Sequence, residues 1–324
     1  MSPFRTAAAP RPTWRLARAE HAPAAAEAVR RTAGGNPQEV ESAVRRLIFA
    51  WHLDWARFVL RRLGLLCGVL FVGSYATAAS SLETRLLHDA EGAVGLLTMR
   101  QFAAPVPAVI LVYDSPGTDR RAELTVRQLL DAGIAALEVE LYHVSADGAD
   151  GPVSFNPQAE ADVLDRAWQV LAAQPGIDAT RLAALGFGRG AHAVAVWPGG
   201  KERDWTARVL LYPDCASLAG ALPGSSGVSR APVLVLHGDT GAGLPPRDCL
   251  HLASHFEDAG VPVRILHYRG ATHGWDLPPV GEHVVSFQPA PVGRGMLRTV
   301  AWPELAEMSA TQAVGFLAAA MLER

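Results

Sequence analysis

The sequence predicts an α/β domain, a doubly wound and mostly parallel sheet flanked by helices, and three observations carry that prediction. From residue 105 onward, short apolar runs alternate with segments of helical periodicity, the order expected of successive βαβ units. The runs are four to eight residues long and bounded by turn residues, as buried strands are. One of them, "LAALGF" (182–187), passes through Gly186-Phe187-Gly188-Arg189-Gly190 directly into a helical pattern.

Taken in order, "AVILVY" (108–113) is a buried strand, followed by the turn "DSPGTD" and a helix whose apolar positions are Leu124, Val126, Leu129 and Leu130. "IAALEVEL" (134–141) is the next strand. A polar, glycine-containing loop, "HVSADGADGPVSFNP", separates it from the helix "AEADVLDRAWQVLAAQ". After "LAALGF" come three more runs read as buried strands: "ARVLLYP" (207–213), "PVLVLHG" (232–238) and "VPVRILHY" (261–268). "LHLASHFEDAG" is the helix between the last two, and "SATQAVGFLAAAMLE" closes the domain. No internal repeat or second boundary interrupts residues 80–324, which therefore read as one domain.

Of the 324 residues 49% are hydrophobic and 19% charged, enough apolar surface for a substantial core. Lys and Arg number 29 against 32 Asp and Glu, a net charge of -3, so there is no basic footprint for nucleic acid. Lys201 is the single lysine. This Arg bias, with abundant Ala, Gly and Pro, points to a GC-rich coding sequence.

Residues 1–46 are rich in Ala, Pro and Arg with little apolar periodicity, and read as a disordered or helical tail. Residues 47–79 contain Arg61-Arg62, an apolar run from Leu63 to about Tyr75, and the small residues Ala76-Thr77-Ala78-Ala79. That is the charged, apolar and A-x-A order of a secretory signal peptide, placed some sixty residues late. The favoured expectation is a start assigned too far upstream and an exported domain beginning near residue 80. The rival is a cytoplasmic extension with a membrane anchor, although the apolar run is shorter than the ~20 residues of a spanning helix. A third reading makes the run a buried helix of the domain. Arg45, Arg46, Arg57, Arg61 and Arg62 precede the run, so either export reading sends the remainder outward.

Cys67 lies inside that apolar run, and the large Leu66 before it makes a poor lipoprotein site. Cys215 and Cys249 remain, an even pair in a domain expected to reach an oxidising compartment. Two readings stand: a disulfide, or two separate buried thiols.

The turn at Gly186–Gly190 has the outline of a nucleophile elbow, G-x-S-x-G, with Gly188 in place of the nucleophile. "LGFGRGAHA", "LLYPDC", "PVLVLHGDTGAGLPPRDC" and "YRGATHGWD", in this order and spacing, resemble the dienelactone hydrolase family, particularly its exported members. The resemblance covers residues 105–323 and implies an α/β-hydrolase fold that needs no cofactor. It places the family's nucleophile at Gly188 and its acid at Gly241 or Ala242, counted from Gly238 and anchored on Pro245, Pro246 and Cys249. The histidine falls on His273, with Trp275 as the aromatic of that turn.

Acyl transfer by this route needs an attacking atom, a base, and a carboxylate that fixes the base's tautomer. Of the three, this sequence retains the base. In the loop after the first strand, Asp114 would repel a developing oxyanion if it points inward, and Pro116 has no N–H to donate. Arg189, Ser115 and Asp114 are the candidates to face a ligand. Asp239 is a displaced acid for His273 only if its loop rearranges, and Ser115 and Thr240 are hydroxyls off the elbow. His251 and His255 have metal-ligand spacing but no third ligand in view, so no metal is expected.

The favoured reading is an exported member of that family in which the triad is incomplete and the pocket binds a small ester, lactone, anionic ligand or partner. The second is a hydrolase of small esters or lactones using His273 with water or a relocated hydroxyl. The third is a membrane-anchored interaction protein, with residues 47–79 as an uncleaved anchor.

Overall fold

Eight strands form one sheet in the spatial order Leu82–Asp89, Gly92–Arg100, Ala135–Glu140, Val106–Tyr113, Ile177–Phe187, Arg208–Leu211, Val233–Gly238 and Val263–Tyr268. A computed structural model describes residues 81–114, 120–141, 157–199, 203–222, 229–241, 245–279, 281, 283–289 and 295–322, all within one compact unit, Ala79–Arg324. The two N-terminal segments, Ser115, Ala242 and most of the loop before residue 157 lie outside these residues.

The chain enters through β1 (Leu82–Asp89) and β2 (Gly92–Arg100), an antiparallel hairpin. Its turn is closed by Asp89, whose carboxylate accepts from the N–H groups of Glu91 and Gly92 at 2.8 and 3.1 Å. β3 (Val106–Tyr113) is buried at every position, because helices cover both faces of the sheet. Its side chains divide by the strand period of two: Ala108, Ile110 and Val112 enter one core, and Val109, Leu111 and Tyr113 the other.

A 3₁₀ turn (Arg120–Ala122) leads into α1 (Glu123–Asp131), and β4 (Ala135–Glu140) then pairs parallel to β3. α2 (Pro157–Ala172) crosses to β5 (Ile177–Phe187), which lies on the other flank of β3, parallel to it. The strand order therefore reverses between β3 and β5. Loops leave that point in opposite directions, and the crevice between them is where doubly wound sheets bind ligands.

α3 (Arg189–Val196), β6 (Arg208–Leu211), α4 (Cys215–Ala221), β7 (Val233–Gly238), α5 (Pro246–Asp258) and β8 (Val263–Tyr268) complete the sheet in parallel steps. Asp214 caps α4, its carboxylate accepting from Ser217 N–H at 3.2 Å, and Pro246 opens α5, where its missing N–H leaves no helix bond unmade. α2, α3, α4 and α5 supply one core with Leu164, Val194, Leu218 and Phe256. α1 and the last helix, α6 (Pro303–Leu322), supply the other with Leu129, Leu317 and Met321. α6 is long and apolar enough to cross a membrane, yet this row of side chains is buried on the sheet.

Three features depart from the expectations. The β1–β2 hairpin and a second one, β9 (Val285–Pro289) with β10 (Met296–Val300), were not anticipated, since their half-exposed strands show no continuous apolar run. β8, read as buried, is the sheet edge, and Arg264 and His267 on it are exposed. β6 also carries a fully buried cation, Arg208, which donates to the carbonyls of Ala195, Ser229 and Ala231 at 3.2, 2.7 and 3.1 Å. Burial lowers its pKa to about 10, so it remains charged at neutral pH.

Cys215 and Cys249 form a disulfide that joins α4 to α5.

Candidate functional site

The elbow stands at the switch point, between the carboxyl ends of β3 and β5. Strand and helix meet there so closely that a Cβ on Gly186 would lie 2.3 Å from the Gly190 carbonyl oxygen, and one on Gly190 would lie 2.1 Å from that of Val112. Only glycine fits at either position. Between them Gly188 has φ 49° and ψ −107°, a backbone that side-chain-bearing residues adopt under strain, and its N–H donates to the Leu211 carbonyl at 3.0 Å.

The space over Gly188 is occupied. A Cβ added there would lie 2.2 Å from Oδ2 of Asp114 and 2.9 Å from Cε1 of His273. Asp114, the residue after β3, thus points inward, the condition under which it faces the reaction centre. Its carboxylate forms an ion pair of 2.8 Å with Arg121, whose side chain is 1% exposed, and lies 3.5 Å from Nε2 of His273. Burial by itself would raise the Asp114 carboxyl, but the Arg121 guanidinium and the neighbouring His273 hold it below the ordinary carboxylate range.

Tyr212, after β6, extends this network. Its hydroxyl accepts from Arg121 at 3.3 Å and donates to Asp276 at 2.7 Å, and its ring meets His273 edge-on at 4.6 Å. Burial, reinforced by Asp276, pushes the phenol well above its ordinary pKa, so it stays protonated. Tyr212 has φ 37°, the single positive φ outside glycine among the described residues. Trp275, fully buried, packs edge-on against Tyr212 at 4.9 Å and donates its indole N–H to Ser309 at 3.0 Å.

His273 is 2% exposed. Its Nε2 faces Asp114 at 3.5 Å, and neither ring nitrogen makes a hydrogen bond among the described residues. In the triad geometry Nδ1 is the nitrogen that bonds the acid, and here the expected acid position is Gly241, which has φ 134° and no side chain. His273 and Gly241 line a cavity of about 200 Å³, with Thr240 beside them and Phe287, Met296, Leu297 and Arg298 from the β9–β10 hairpin.

Several expected site residues are placed elsewhere. Arg189 is buried and ion-paired with Glu160 of α2 at 2.8 Å, a contact that ties α3 to α2. Asp239 accepts from Gly270 N–H at 2.7 Å and pairs with His267 at 3.0 Å, away from His273. His251 and His255 touch through their Nε2 atoms at 3.2 Å, and no group of three metal-ligating side chains occurs among the described residues. Arg121, Tyr212, Asp276 and Arg298 escaped the sequence reading. Tyr212 stood in the quoted "LLYPDC", but nothing in that stretch tells a buried network member from a core aromatic.

No curated protein sequence matches this chain. Among solved structures, it is similar to a dienelactone hydrolase-like promiscuous phosphotriesterase from metagenomic libraries, with 20% identity and a TM-score of 0.54 over 74% of this chain and 99% of that one. A putative dienelactone hydrolase from Klebsiella pneumoniae is similar at 19% identity and TM-score 0.52, over 74% of this chain and 98% of that one. A hyperthermophilic esterase from the archaeon Pyrobaculum calidifontis gives 14% and 0.52, over 74% and 85%. At these identities the likeness is one of fold, the α/β-hydrolase fold. The model of the dienelactone hydrolase family matches residues 94–283, more than half of the chain, and the chain belongs to that family.

Proposed function

We propose that this protein is an exported, non-catalytic member of its family that binds a small ligand in the pocket beside His273. The observation that carries the reading is the position of Asp114: its carboxylate fills the space into which a side chain at 188 would project, and it is tied there by Arg121 and His273. A carboxylate so placed puts a fixed negative charge at the nucleophile's own position, beside the carbonyl whose developing oxyanion acyl transfer has to stabilise. The disulfide is compatible with an oxidising compartment, and residues 47–79 are the proposed export signal. Nucleic acid is not among the proposed partners, and a membrane is one only if that segment stays uncleaved.

The test is hydrolysis of short activated esters and lactones by the purified chain beside its His273→Ala variant. The expected result is equal, background rates from two folded proteins. Hydrolysis that disappears in the variant would overturn the reading.

One observation favours a second reading in that event. Asp114 lies 3.5 Å from Nε2 of His273, which also lines the cavity, so the two form a carboxylate–imidazole pair at its wall. After a local rearrangement that exposes the ring, His273 would then take a proton from water as it attacks an ester bound in the cavity.

A further inference from the structure

We infer that His251 and His255 form a surface site for a late first-row divalent ion, copper above all, on the outer face of α5. In the sequence they are two ligands without a third, and the fold adds how they are held. Leu252 and Phe256 are fully buried and set the rotation of α5, while Cys249, two residues before His251, is tied to Cys215 on α4. His251 and His255 are both exposed, and side chains four residues apart on a helix stand side by side. The pair is thus carried by a backbone that is fixed before any ion arrives.

Its geometry is that of a chelate. The two Nε2 atoms lie 3.2 Å apart. Imidazole nitrogens bound to one ion at about 2.0–2.1 Å, with angles between square and tetrahedral, lie about 2.8 to 3.4 Å from each other. Without an ion, one neutral ring donates its Nε2–H to the other. Moving that proton to Nδ1 of the same ring frees both Nε2 lone pairs, with no net change in protons. The other close pair, His237 and His267, stacks ring on ring and has one nitrogen of each ring engaged elsewhere, on the Gly238 carbonyl and on Asp239.

The donors select the metal. Mg²⁺ and Ca²⁺ take oxygen ligands, and a structural zinc takes four protein ligands, whereas no group of three forms among the described residues. Ser254, between the two histidines, already donates its hydroxyl to the Leu250 carbonyl at 3.3 Å. The ion that suits the site binds two imidazoles and completes its shell with water. Among such ions Cu²⁺ binds more tightly than Ni²⁺ or Zn²⁺.

The experiment titrates the full chain with Cu²⁺, Ni²⁺ and Zn²⁺ in a non-coordinating buffer, followed by calorimetry and, for Cu²⁺, by electron paramagnetic resonance. His251→Gln and His255→Gln are measured beside His88→Gln, at another exposed histidine. Each of the first two is expected to weaken the tightest Cu²⁺ site at least about tenfold and to remove one nitrogen donor from the copper spectrum. His88→Gln is expected to leave both unchanged, and the metal-free urea midpoint should be the same in all four proteins, since the replaced rings are exposed. Cu²⁺ held as tightly in either variant of the pair as in the parent chain would overturn the site, and so would Zn²⁺ bound more tightly than Cu²⁺. The pocket beside His273 takes no part in this experiment, so the ligand-binding reading stands or falls separately.

Discussion

A buried carboxylate keeps its charge only where cations and donors surround it, and Asp114 is held by a guanidinium on one side and an imidazole on the other. Removing its charge breaks the 2.8 Å ion pair with the buried Arg121 guanidinium, so Asp114→Asn should destabilise the fold by about 3 to 5 kcal/mol, read from urea unfolding. The same carboxylate opposes any side chain at 188. Gly188→Ala should cost more than the ~1–3 kcal/mol of an unfavourable backbone alone, because its Cβ meets Oδ2. In an Asp114→Ala background the added cost should shrink by about 1 kcal/mol or more. Additivity of the two changes within ~0.5 kcal/mol would mean that they do not compete for that space. Motif order along the chain picked out Gly188, Gly241 and His273, and the structure brings His273 against Gly188 and into one cavity with Gly241. Arg121 and Tyr212 were not legible, because they meet 91 residues apart in sequence and only the folded sheet brings the ends of β3 and β6 together. The burial of Arg189 was not legible for a related reason: its ion-pair partner Glu160 lies on another helix.

The disulfide joins two helices, α4 and α5, that flank the end of the sheet near the site. With its cysteines 34 positions apart in sequence, closing the loop should contribute about 4 kcal/mol by restricting the unfolded chain. Reduction should lower the urea midpoint accordingly, and Cys215→Ala/Cys249→Ala should show the same loss and no further response to reductant. A midpoint unmoved by reductant would mean that the bond does little for the fold. The buried parallel strands β3 to β7 were readable as apolar runs, since both faces of each are covered. β1, β2, β9 and β10 were not, because each leaves positions exposed and hairpins of this kind carry a weaker pattern. β8 was placed correctly but misjudged in depth: Ile265 and Leu266 are only half-buried, as befits an edge strand.

For the whole molecule, acid should act in two stages. His192 is buried, and desolvation, aided by Arg189, pulls its pKa from 6.5 to about 4. As pH falls through that interval the unfolded chain takes up a proton that the fold refuses, so stability should decline by up to about 3 kcal/mol. His192→Gln should flatten this part of a pH series of urea midpoints, and an unchanged slope would exclude His192 as its source. The second stage belongs to Asp114, whose lowered pKa stabilises the fold above the unfolded value of 3.8 and loses that contribution as pH falls through the folded one. Fold class was legible at this scale from alternation alone, whereas the contents of the pocket depend on the β9–β10 hairpin, which returns to the site from late in the chain. The crowding over Gly188 also has a historical side. A descendant of this sequence that acquired serine at 188 would meet the Asp114 carboxylate before it met any substrate, and a change at 114 first would break the buried ion pair with Arg121. Either single step passes through a less stable protein, so in evolution the two positions are locked together, open to change only in a lineage that alters both.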